Sequence, residues 1–152
     1  MIVFLDFDGV THPITGSKPF CEKNINALAT AMEAVSNIEV VITSTWREEH
    51  DLNILCHYLG KLGGLVTGIT PVIDEPFLKH VRYHEVLSYL NNSGKQSQAW
   101  LAIDDTHGFY PDTAPVLWTN SYTGFTHNDI DRFISASKMH SAQKKYLNED
   151  NI

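Results

Sequence analysis

Short apolar runs alternate along this chain with stretches of helical period. Ile2-Val3-Phe4-Leu5 comes first, and four apolar residues in a row read as a strand buried on both faces. Ile38–Ile42 and Ala99–Ile103 repeat the pattern, and shorter runs around Leu65-Val66-Thr67 and at Val116-Leu117-Trp118 predict two more strands. Between the strands the period changes. Ile25, Leu28, Met32 and Val35 share one face of a helix from about Glu22 to Ser36, and Leu52, Leu55, Cys56 and Leu59 line a second, with Gly60 at its C-terminus. Lys79 to Leu90 predicts a third helix, burying Tyr83, Val86, Leu87 and Leu90. A fourth starts near Thr126, where Thr126 and Asp129 form a variant capping box ahead of Ile130, Phe133 and Ile134. Regular alternation of strand and helix predicts an α/β three-layer sandwich on a mainly parallel sheet. Residues 1–137 form the expected domain, and 138–152 a polar C-terminal tail that frays.

Two of the strands end in paired acids. Asp6 and Asp8 follow the first run just before Gly9, and Asp104-Asp105 follow the run at 99–103. Ligands of open α/β sheets bind beyond the carboxyl ends of the strands. Neighbouring carboxylates repel unless a cation lies between them or one keeps its proton. Four such acids on two strand ends therefore suggest one divalent-metal site. Each feature alone has a plainer meaning: Asp-x-Asp is usually a turn, and Thr43-Ser44-Thr45 an ordinary helix cap. Their joint occurrence, in this order, is what points to chemistry.

Composition narrows the field. The net charge of −7 makes the chain a poor general binder of nucleic acid, although a local basic rim is compatible with it. Two isolated cysteines, Cys21 and Cys56, argue against a disulfide framework or a zinc knuckle. No apolar stretch reaches membrane-spanning length, and with no leader expected the address is cytoplasmic. His80 and His84 have metal-pair spacing without a third ligand and read as surface residues. Trp46, Trp100 and Trp118 adjoin predicted strands and read as core.

Asp6-x-Asp8-Gly9-Val10, the hydroxyls Thr43-Ser44, a basic residue on a helix, and Asp104-Asp105 together resemble the haloacid dehalogenase (HAD) superfamily. The phrases FLDFDGVTHP, VVITSTWR and WLAIDD, with GFT near residue 125, are similar to a small bacterial and phage branch, some of whose members are attached to RNA-repair proteins. The resemblance implies a Rossmann-like core without a large cap, and a phosphatase. Asp6 would be the nucleophile and Asp8 the general acid and base. Mg²⁺ would be held by Asp6, the Asp8 carbonyl, Asp104 and Asp105. Thr43 or Ser44 would bind a phosphoryl oxygen, and Arg82, in VRYHEVLSYL, would supply the cation. Lys79, three residues before Arg82 on the same expected helix, is the alternative cation, and Lys79, His12 and Arg47 are the expected substrate contacts. Dehalogenases lack an acid at the position of Asp8, so its presence favours phosphoryl transfer.

A phospho-accepting or phosphate-sensing module without useful turnover is the competing expectation, and Asp8 argues against it, since a mere acceptor needs no acid and base. About thirty residues separate Gly9 from the second strand, and Arg47 to Arg82 is similarly filled, which leaves no room for a folded cap. An open site suits a phosphorylated substrate that is either a small molecule or a nucleic-acid end, with no membrane involved. The sequence carries no signal of oligomeric state.

Overall fold

The computed structural model describes residues 1–149. Five parallel strands lie in the order β3-β2-β1-β4-β5: β1 (Ile2–Leu5), β2 (Glu39–Ile42), β3 (Val66–Ile69), β4 (Trp100–Asp104) and β5 (Val116–Trp118). The central β1 is wholly buried, as its unbroken apolar run requires. Burial of each such side chain contributes roughly 1.5–3 kcal/mol.

The two-residue period of β1 divides the core. Val3 and Leu5 face the layer formed by α1 (Glu22–Glu33), α2 (Leu52–Tyr58) and α4 (Ile130–Glu149). Ile2 and Phe4 face the other layer, formed by α3 (Val81–Asn92). The chain winds from β1 through β2 to β3, then crosses by α3 to β4 on the far side of β1. That reversal opens a crevice between the carboxyl ends of β1 and β4. The expected three-layer α/β sandwich is the observed one.

Four details differ from the sequence expectation. The third helix begins at Val81, because His80 at its N-cap takes a left-handed backbone (φ 57°), so Lys79 precedes the helix. The shared helical face expected for Lys79 and Arg82 therefore does not exist. Leu87 is 40% exposed instead of buried. The capping box of Thr126 and Asp129 is present, but it starts a 3₁₀ turn (His127–Asp129) that runs on into α4. Beyond Lys138 the chain stays helical to Glu149, and the last three residues of the expected polar tail lie outside the described residues.

Candidate active site

Strand register assembles the site. Leu5 pairs with Ile42 on one side and Ile103 on the other, so the next residues, Asp6, Thr43 and Asp104, stand side by side. The Asp6 N–H donates to Ile103 O at 3.1 Å and the Thr43 N–H to Leu5 O at 3.0 Å, carrying the ladder one step further. Parity then aims all three side chains. Phe4, Val41 and Ala102 face α3, so Asp6, Thr43 and Asp104, two residues further along their strands, face it too. Arg82, in the first turn of α3, reaches Asp6 Oδ1 at 3.3 Å and donates to Thr43 O.

Asp6, Asp104 and Asp105 bring one oxygen each within 4.8 Å of one another. Burial pushes the Asp6 carboxyl up from its usual range, with Arg82 opposing. Asp104 is pushed up to about 8, by burial first and by Asp6 second, again against Arg82. Arg82 keeps its proton more firmly than usual: burial opposes its charge, but Asp6 and Asp104 outweigh it. Buried acids held above their normal range, with only oxygen donors, fit a hard divalent cation.

Unfilled hydrogen-bonding capacity gathers at the same place. Thr43 Oγ1, Ser44 Oγ, Asp104 Oδ2 and the Tyr110 hydroxyl are buried with no hydrogen-bond partner among the described residues. Each orphan costs about 1–3 kcal/mol, so several together call for polar atoms from outside the chain. The hydroxyls fit a phosphoryl group, and Asp104 Oδ2 fits a cation.

Gly9 permits the approach of the two acidic segments. It has φ +69°, and a Cβ there would strike the Asp105 carboxylate. The tight turn it makes, with Val10 N and Thr11 N both donating to Phe7 O (3.0 and 2.8 Å), folds His12 back beside Asp8. The loop after β5 braces this turn: Thr119 Oγ1 donates to Gly9 O at 2.7 Å and Phe125 N to Val10 O at 2.8 Å. Gly124, in the GFT phrase, lets Asn24 donate to Thr123 O and Phe125 O, both at 2.8 Å, where a Cβ would collide with the Asn24 amide.

The Asp8 side chain stands apart from the acid cluster and is half exposed. Its Oδ1 meets His12 Nε2 at 3.0 Å, and its Oδ2 accepts from the Trp46 indole N–H at 3.0 Å.

The three expected substrate contacts lie in different surroundings. Arg47 is buried, and its guanidinium donates to Thr43 O, Ser44 O (2.9 Å), Thr70 O (3.1 Å) and Pro71 O (3.3 Å) and pairs with Glu85 at 2.8 Å. These contacts tie its guanidinium to the loops after β2 and β3 and to α3. His12 is also buried, with both ring nitrogens held by Asp8 and Thr11. Lys79 is exposed, on the wall of a cleft of about 400 Å³ with Ile73, Asp74 and Phe109. Trp46, expected in the core, is half-buried at the site because its N–H serves Asp8. Glu85 and Tyr110 complete the surroundings of Arg82. Glu85 was visible as the acid three residues after Arg82, whereas Tyr110 lies outside every motif.

A parallel sheet reversing at β1, with a carboxylate cluster, buried hydroxyls and an arginine at its carboxyl edge, defines a site for phosphoryl chemistry. Residues 2–130 match the family described as the HAD domain in Swiss Army Knife RNA repair proteins, and the chain belongs to that family. Comparison with curated proteins and with solved structures gave no match. HAD proteins are generally hydrolases, and the family points to a phosphoryl-transfer role that agrees with the geometry. No helix among the described residues is long and apolar enough to cross a membrane.

Proposed function

We propose that the chain is a Mg²⁺-dependent phosphomonoester phosphatase that works through an aspartyl-phosphate on Asp6. The observation that carries this reading is the division of labour between two aspartates. Asp6 is buried among Arg82, Asp104 and unpartnered hydroxyls, while Asp8, two residues on, stands outside the acid cluster on the open side. In the first step an Asp6 oxygen forms a bond to phosphorus. The bond from phosphorus to the leaving oxygen breaks, and that oxygen takes its electron pair and a proton from the Asp8 carboxyl. In the second, water attacks the same phosphorus, Asp8 accepts its proton, and the Asp6 carboxylate is released.

Arg82 offsets phosphoryl charge in a dry setting, and the Thr43 and Ser44 hydroxyls donate to phosphoryl oxygens. Asp6, Asp104, Asp105 and the Asp8 carbonyl would hold Mg²⁺. When bound, that ion neutralises charge on the phosphoryl group. Asp8 supports turnover over a phospho-accepting role, because only turnover needs an acid and base beside the acceptor. The family description favours a phosphorylated nucleotide or polynucleotide end as substrate. Among the described residues, the segments after β1 and β3 form no folded cap, which suits such an end.

The test is phosphate release from nucleotides and from 3′- and 5′-phosphorylated oligonucleotides, with and without EDTA. Asp6→Asn is expected to abolish release without unfolding the protein, and Asp8→Asn to lower kcat by about 10²–10⁴-fold. Full activity in EDTA, or wild-type rates for Asp6→Asn, would sink the reading.

A further inference from the structure

We infer that His12 and Trp46 are positioning residues that hold the Asp8 carboxyl for proton transfer to the leaving group, an inference that rests on the phosphatase reading above. Each oxygen of Asp8 has its own partner in the chain: Oδ1 meets His12 Nε2 and Oδ2 accepts from Trp46 Nε1, both at 3.0 Å. Two contacts on opposite oxygens fix both the direction and the plane of a carboxyl group that is otherwise half exposed and free to rotate.

The contacts are themselves held in place. The Thr11 hydroxyl donates to Phe7 O at 3.1 Å, so its oxygen accepts from His12 Nδ1–H at 3.0 Å. That turns His12 Nε2 toward Asp8 Oδ1. Phe7 O also accepts the N–H groups of Val10 and Thr11, so the ring is anchored to the turn that follows the nucleophile. Trp46 packs edge-on against Phe7 and Phe20, with ring centroids 6.4 and 5.0 Å away, which sets the angle of its N–H. Neither residue belongs to the acid cluster. Both act on the leaving-group side alone.

Positioning of this kind matters in proportion to how badly the leaving oxygen needs a proton. A p-nitrophenolate departs readily without one, whereas an alkoxide does not. The general-acid step therefore separates the clamp from ordinary packing.

The experiment measures kcat/KM, which reports transfer to Asp6, for p-nitrophenyl phosphate, phenyl phosphate and glycerol 2-phosphate, using the full chain with Mg²⁺. His12→Phe keeps the ring volume without its nitrogens, His12→Gln restores a group able to hydrogen-bond Asp8, and Trp46→Phe removes the indole N–H. For His12→Phe and Trp46→Phe the expected loss is less than about threefold on p-nitrophenyl phosphate and about 100-fold on glycerol 2-phosphate. His12→Gln should recover much of the second loss. In an Asp8→Asn background none of the three should lower kcat/KM further.

Equal losses on all three substrates, His12→Phe matching His12→Gln, or further loss in the Asp8→Asn background would each overturn the inference while leaving the phosphatase reading intact. Absence of any wild-type turnover overturns both. Should His12→Phe fail to fold, Trp46→Phe carries the same readout with a smaller change to packing.

Discussion

Around Asp6 the balance of charge is set against Arg82. Arg82 donates to Asp6 and to Thr43 O and lies 5.0 Å from the centre of the Phe109 ring. Buried between carboxylates, its charge is little screened by water or salt. Lys79 is exposed and precedes the helix, where an isolated charge is worth little. Arg82→Ala is accordingly expected to remove nearly all turnover, whereas Lys79→Ala should stay within about threefold of wild type. Steady-state kinetics of the two variants decide it, and a larger loss at Lys79 would transfer the cation's role to that residue.

At the scale of elements, Arg47 joins the loop after β2 to the loop after β3 and both to α3. It contacts Thr43 O and Ser44 O, then Thr70 O and Pro71 O, and pairs with Glu85 on α3. Burial pulls against its charge, and Glu85 supports it. Removing one member of a buried pair leaves the other unpaired, which typically costs about 3–5 kcal/mol. Arg47→Met should therefore lower unfolding free energy by about that amount, with Arg47→Met/Glu85→Gln regaining part of it. Urea denaturation checks both variants. A loss of activity at unchanged stability would return Arg47 to the substrate-binding role expected from sequence.

For the molecule as a whole, the acid cluster couples folding to pH and to metal. In metal-free protein the folded state holds a proton on Asp104 up to about pH 8, whereas the usual carboxylate value is 3.8. A folded pKa above the unfolded one means that the stability contribution is complete below about pH 4 and is lost as pH rises through 8. The slope in that window is at most about 1.4 kcal/mol per pH unit. In EDTA the melting temperature is expected to fall between pH 5 and pH 8. Added Mg²⁺ should restore most near pH 8, where binding displaces the fewest protons. Thermal melts across that range with and without Mg²⁺ check the sign, and a metal effect that grows toward pH 5 would contradict it.

Much of this architecture was legible in the residues alone. A four-residue apolar run such as Ile2–Leu5, ended by Gly9, reads as a strand covered on both faces, and acids at the ends of two such runs fall at the carboxyl edge. Period and run length are local properties, so β1, β4 and the placement of Asp6 and Asp104 followed from them. Direction and partnership are not local. Arg47 follows the hydroxyl motif as a substrate-binding residue would, yet its side chain turns toward Thr70 O and Pro71 O, 23 and 24 residues further along the chain. His12 and Trp46 meet at Asp8 although 34 positions apart, and no spacing rule links a turn after one strand to a 3₁₀ turn after the next. Which buried donor meets which acceptor was decided only when the sheet register brought those turns together, because a polar group withdrawn from water must find its partner in the nearest fold segment, not the nearest sequence segment.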